Sequence, residues 1–242
     1  MKGRRGRTRS GLRARLSWPV AALTVGVVGI SAAVTLPLRW WNPPASAFMV
    51  QYNRATPPSV LARHQWTPIE SIAPSLAIAV VAAEDQRFLS HRGFDLRSIL
   101  KALEDNRSRS RPRGGSTISQ QLAKNLFLWP RRRLGGKVLE AWLTLYLELF
   151  LPKRRILELY LNFAQFGPGL YGAGAAASAY FAKSANDLTA GESALLAAVL
   201  PTPSVSSVTA PSEYIRDRAD FIESQAEHLA RAGALAEIAA RR

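Results

Sequence analysis

The sequence predicts a mainly α-helical domain behind a single N-terminal transmembrane helix. Three observations carry this. Apolar residues recur at helical spacing through most of the chain, as at Val138, Leu139, Trp142, Leu145, Tyr146 and Leu149. No convincing alternation of apolar and polar residues marks a strand, and no internal repeat is evident. An uninterrupted run of 21 uncharged residues, Trp18 to Leu38, follows an arm whose charges are all basic.

The 242 residues leave room for one domain of ordinary size plus an appendage. A chain without cysteine has no thiolate zinc site, thiol nucleophile or disulfide framework. The formal net charge is +15, and Lys2, Arg4, Arg5, Arg7, Arg9, Arg13 and Arg15 crowd into residues 1–17 with no acid among them. A basic chain suggests nucleic acid, but a basic arm leading into an apolar run points to a membrane.

At 1.5 Å per residue, the Trp18–Leu38 run makes a helix about 30 Å long, the hydrocarbon thickness of a bilayer. The positive-inside rule keeps residues 1–17 in the cytoplasm and places the chain after about residue 40 outside. Trp18 at one end, and Trp40 and Trp41 at the other, suit interfacial belts. The rival reading is a cleaved signal peptide, because Ala45-Ser46-Ala47 resembles a cleavage site. The apolar run is longer than a signal core and ends well before that site, which favours an uncleaved anchor.

Residues 42–74, rich in Pro, Ser and Thr, read as part of a linker (39–74) leading into a domain over 75–242. Helical segments are expected at 75–89, 95–105, 116–126, 153–164, 172–182 and 193–200, with a final charged helix over 211–240. Residues 106–115 read as a basic loop, and Pro152 ends the helix containing Leu149. Thr189 to Glu192 forms a capping box. Gly167, Gly169 and Gly172 fit a dinucleotide fingerprint, but helical spacing precedes them, so a Gly-rich turn is the expected reading.

Two segments carry candidate chemistry. In 84–95 an Ala-rich helix delivers Glu84 and Asp85 to its C-terminal end, where the helix dipole disfavours acids. Either something compensates, or the carboxylate's pKa rises and it becomes a candidate general base. A solvated Glu–Asp pair with Arg87 as partner is the plainer alternative. In 114–125 two glycines open a helix whose first turn carries hydroxyls and amides. Its free N–H groups, with Lys124 one turn beyond Gln120 and Gln121, suit a phosphate or pyrophosphate. The alternative is an ordinary capped helix with both glutamines at the surface. Arg131, Arg132, Arg133 and Lys137 follow Phe127-Leu128-Trp129, a pairing of cations and aromatics typical of a membrane interface. Glu140 is placed to pair with Lys137. His64, His91 and His228 are dispersed and form no evident metal set.

At these segments the sequence resembles the peptidoglycan glycosyltransferase family, which includes monofunctional enzymes and the N-terminal domains of bifunctional penicillin-binding proteins. The pattern E-D-x-x-F-x-x-H-x-G is met by Glu84, Asp85, Phe88, His91 and Gly93. G-G-S-T-I-T-Q-Q-x-x-K-N is met from Gly114 to Asn125, with Ser119 for threonine. R-K-x-x-E is met at Lys137 and Glu140 but has Gly136 where arginine is usual, and I-L-E-L-Y-L-N is met at Ile156–Asn162. Gln165 stands where an aromatic is usual. The match spans roughly residues 70–205.

The resemblance implies a lysozyme-like helical fold with a membrane-embedded jaw, lipid II as substrate, and release of undecaprenyl pyrophosphate. It implies Glu84 as general base and Glu140 as a second catalytic acid. Phe88, His91, Thr117, Gln120, Gln121, Lys124, Arg132 and Lys137 fall at its substrate-site positions. No cofactor is required by the sequence; a magnesium or manganese ion is an optional aid to neutralising pyrophosphate. The implied partners are lipid II, the growing glycan strand, membrane lipid and other cell-wall synthesis or division proteins, with no nucleic acid. The implied location is the inner (cytoplasmic) membrane, single-pass, with the domain outside. Few residues follow Pro203 and no S-x-x-K set appears there, so no transpeptidase domain is expected. A glycan-cleaving enzyme on the same scaffold would need a leaving-group acid and no pyrophosphate cations, which the motif around Lys124 disfavours. A non-catalytic division scaffold is disfavoured by Glu84 and Glu140.

Overall fold

The computed structural model describes residues 10–97, 100, 115–129 and 134–240. Helix α1 (Ser10–Thr35) runs on into a 3-10 turn, Leu36–Arg39. Its stretch Ala21–Arg39 is long and apolar enough to cross a membrane, and only 17% of it is buried against the rest of the chain. A core helix of a soluble protein would be mostly covered, so this helix is not one, and its length and composition are compatible with a membrane anchor.

The anchor is docked. Helix α1 packs on α5 (Leu134–Phe150), where Trp142 Nε1 donates to Ser31 Oγ (2.9 Å). Arg39 Nη1 donates to the Phe150 carbonyl (2.8 Å). Arg155, on α6 (Lys153–Phe163), donates to the Leu38 and Trp41 carbonyls and to Asn42 Oδ1 while pairing with Glu158.

Residues 39–74, expected to be a linker, contain α2 (Ala47–Ala55), strand β1 (Arg63–His64) and a 3-10 turn at Ile69–Ser71. Met49, Ile69, Ile72 and Ala73 from this segment lie in the core. The Ala45-Ser46-Ala47 step is part of the fold: Ser46 is buried and caps α2 by accepting from the Met49 N–H.

Helix α3 (Pro74–Glu84) buries every residue from Leu76 to Ala82. A helix apolar all round must be enclosed, and it is clasped between α8 (Ala190–Val199) and α9 (Glu213–Arg231). On the other side of the core α4 (Ile118–Phe127) packs against α5 and α6. Pro152 caps α6 immediately after α5 ends, as its position predicts, and the Thr189–Glu192 capping box opens α8.

Two expectations change. Among the described residues there are three short strands, β1, β2 (Gln165–Gly167) and β3 (Leu170–Tyr171), in the order β1-β3-β2. Strands of two or three residues are too short to show alternation. The Gly-rich turn lies within this β2–β3 hairpin, which is antiparallel and leads into α7 (Ala173–Phe181), so it forms no dinucleotide crossover. Gly172, at φ +87°, could carry no Cβ without meeting the Asn162 carbonyl oxygen at 2.7 Å. The final helix is two, α9 and α10 (Ala234–Ala240), broken at Gly233 with φ +86°. The expected helix at 95–105 lies mostly outside the described residues.

Candidate active site

Glu84 is the last residue of α3, and Asp85 leaves helical geometry at φ −160°, ψ 73°. The two carboxylates therefore point to different partners. Asp85 accepts from the first N–H of α4, at Ile118 (3.1 Å), and sits against His91 Nε2 at 2.9 Å and 3.0 Å. Asp85 thus ties the first motif to the second. Arg87 pairs with Asp95 rather than with Glu84 or Asp85 (2.9 Å), so the solvated-pair reading fails.

Glu84 Oε2 accepts from Gln121 Nε2 (2.7 Å), and Gln121 Oε1 accepts from the Tyr160 hydroxyl (3.0 Å). Desolvation is the largest influence on Glu84 and pushes its pKa up; Gln121, Arg218 and Lys124 pull it back in part. Burial, with the neighbouring carboxylates of Glu84 and Asp85, pushes the Tyr160 hydroxyl well above its usual range, so it serves as a fixed donor.

The second motif opens α4 with a reciprocal cap. Thr117 Oγ1 accepts from the Gln120 N–H, and Gln120 Oε1 accepts from the Thr117 N–H. Thr117 Oγ1 also donates to the Gly93 carbonyl (2.6 Å). Gly93 has φ +84°, and a Cβ there would lie 2.8 Å from Thr144 Cγ2, which accounts for glycine in the first motif. Gln120 is buried in this cap, not at the surface. Lys124 continues the Gln121 side of the helix, near enough to act on Glu84 and 6.0 Å from the Phe48 ring.

Lys137 reaches Glu140 one turn along α5 and Ser116 Oγ at 3.3 Å, bridging the third motif to the mouth of the second. Glu140 is buried while Lys137 is more than half exposed. Phe88 is fully buried, with Lys153 Nζ 4.4 Å over its ring, and His91 is nearly so. The side chains of Phe88, His91, Thr117 and Gln120 are therefore enclosed, whereas Gln121 and Lys124 are partly exposed and Lys137 is well exposed. Arg132 lies outside the described residues. Gln165 Nε2 donates to the Gly167 carbonyl (2.9 Å) within the β2–β3 hairpin.

Arg218 of α9, whose Nη2 is 3.7 Å from Glu84 Oε1, was not legible as a site residue. It sits in a helix that reads as an ordinary charged face, and no local pattern marks it. Tyr160 lies within the fourth motif and was visible in that sense. Among the described residues, no group of three or more His, Asp or Glu side chains is arranged to hold a metal ion.

The family model described as Transglycosylase matches residues 54–227, which include all four motifs. The chain belongs to the peptidoglycan transglycosylase family. A biosynthetic peptidoglycan transglycosylase of Xanthomonas campestris pv. campestris is 48% identical over 227 residues, 92% of each chain. One from Shewanella oneidensis is 45% identical over 220 residues, 90% of this chain and 94% of its own. One from Xylella fastidiosa is 48% identical over 204 residues, covering 83% and 84%. This transglycosylase is an enzyme of glycan polymerisation, and its apolar N-terminal helix is compatible with a membrane anchor.

Proposed function

We propose that this transglycosylase joins lipid II units into β-1,4-linked glycan, with Glu84 as general base. The observation that carries the reading is the desolvated Glu84 carboxylate held by Gln121 beside Lys124. A sugar hydroxyl is a weak nucleophile, whereas pyrophosphate leaves readily once its charge is balanced. Glu84 takes the proton from the acceptor's 4-hydroxyl as its oxygen bonds to the donor's anomeric carbon. The bond from that carbon to pyrophosphate breaks, and its electron pair leaves with undecaprenyl pyrophosphate. Attack opposite an α-linked leaving group inverts the centre to β.

Lys124, Lys137 and Arg132 supply the cations for the pyrophosphate, and Glu140 holds the Lys137 ammonium in place. Phe88, His91, Thr117 and Gln120 keep these groups in register. The direct test is polymerisation of labelled lipid II by the detergent-solubilised full chain. Long, lysozyme-sensitive glycan is expected; intact lipid II recovered from folded protein would sink the reading. Lys137→Ala is expected to lower kcat/KM about tenfold, the low end for an electrostatic contact because the side chain is well exposed. An unchanged kcat/KM would remove Lys137 from the site.

The basic arm of residues 1–17 supports a cytoplasmic N-terminus, with the domain on the outer side of the membrane. Exposed Val138, Leu145 and Leu149 form one stripe of α5, beside the docked anchor, and this stripe would lie in lipid. With no native cysteine, a single Cys at exposed Thr209 reports the side. It is expected to react with a membrane-impermeant maleimide in spheroplasts; labelling only after lysis would reverse the orientation.

A further inference from the structure

Helix α9 lies along α3 and brings one cation to the end of it. Arg218 Nη2 is 3.7 Å from Glu84 Oε1, beyond hydrogen-bond length. Glu84 Oε1 and Arg218 Nε are each buried with no hydrogen-bond partner among the described residues. The other carboxylate oxygen, Oε2, is already fixed by Gln121 from α4. One oxygen of Glu84 is thus fixed, and the other is directed at α9. Gln86 Nε2 donates to Gln225 Oε1 (3.4 Å), a second tie from α9 to the turn after α3.

We propose that Arg218 is a positioning residue for Glu84: its guanidinium faces the buried Oε1, keeps the carboxylate ionised and holds it turned as Gln121 sets it on the other oxygen. The proposal rests on Glu84 being the base. The groups facing Glu84 are Gln121 and Lys124 from α4, Tyr160 from α6, Arg218 from α9, and Asp85 next in the chain. Tyr160 and Asp85 contribute no positive charge. Lys124 is one of the cations assigned to the pyrophosphate, which leaves Arg218 as the cation acting chiefly on the base. Guanidinium suits this role because it stays charged at every working pH. The gap also has a use. A tight bidentate pair would make the carboxylate a poor base, while a charge at this distance keeps it ionised and still basic.

The test is the pH profile of kcat/KM for lipid II polymerisation by the full chain in detergent, with wild type, Arg218→Gln, Arg218→Lys, Gln225→Ala and Glu84→Gln compared. An opposite charge at this range moves a carboxylate by about one unit or more, so Arg218→Gln is expected to move the acid limb about one unit alkaline. That is about a tenfold loss on the acid side and little loss at high pH. Arg218→Lys is expected to restore the limb, and Gln225→Ala to leave it unmoved. Should Arg218→Gln melt below the assay temperature, Arg218→Met, which keeps an apolar stem, takes its place.

An unmoved limb in Arg218→Gln, or an equal loss at every pH, overturns the proposal and makes Arg218 a packing residue of α9. Either result beside an inactive Glu84→Gln leaves the general-base reading standing. Activity in Glu84→Gln removes both.

Discussion

Glu84→Gln is expected to slow lipid II polymerisation by about 10²–10⁴-fold while leaving the protein at least as stable as wild type at mildly alkaline pH. The rate loss follows from chemistry. An amide of the same shape keeps the contact with Gln121 but accepts no proton, so KM should change far less than kcat. The stability follows from linkage. Burial raises the folded-state pKa of Glu84 above its unfolded value, so the native state holds this proton more tightly. Stability from this group is therefore present at low pH and lost as pH rises through the folded-state value. Above that window the wild type bears an ionised carboxylate in a desolvated place, and glutamine does not. Paired assays of turnover and thermal melting check both halves. Full activity, or a melting temperature well below wild type, would contradict the expectation.

The second large effect is on folding. Glu148 and Lys153 pair at 2.7 Å with both side chains 7% exposed, and Ser119 Oγ donates to the same carboxylate oxygen. The pair joins the end of α5 to the start of α6 and reaches the first turn of α4. Glu148→Ala deprives a buried ammonium of its carboxylate and Ser119 of its acceptor. The expected cost is about 3–5 kcal/mol, measured by chemical denaturation in detergent. Glu148→Ala combined with Lys153→Met is expected to recover much of that loss, because no charge then remains buried. The exposed pair Arg231–Glu227 offers the contrast: Arg231→Ala should change stability by at most about 0.5 kcal/mol. A Glu148→Ala cost no larger than that would show the buried pair to be replaceable.

What the sequence disclosed of the fold follows a physical division. Helices whose partners lie one turn away were readable: the apolar stripe of α5, its stop before Pro152, and the capping box opening α8. Glu84, Gln121, Lys124 and the Lys137–Glu140 pair stood out because motifs concentrate them in short runs. Features made by distant parts of the chain were not readable. The β1-β3-β2 sheet joins β1 to a hairpin about a hundred residues further on, and none of its strands is longer than three residues. Met49, Ile69 and Ile72 reach the core from a segment whose prolines and scattered apolar residues show no period. Gly233 splits the last helix through its own backbone angle, which a helical composition on both sides conceals. The burial of Gln120 was hidden for a related reason: only the reciprocal bond with Thr117 turns it inward.

The docking of α1 bears on how the enzyme meets its substrate. Ser31, Arg39, Trp142 and Arg155 make the anchor and the domain one body rather than a globule on a string. A tethered globule would tumble above the membrane and lose orientational freedom afresh at each encounter. Here that loss is taken once, during folding, so tilt and height above the lipid are set before any substrate arrives. Search then reduces to sliding and spinning in a plane, and a strand lengthening by successive additions always finds its acceptor site at the same altitude.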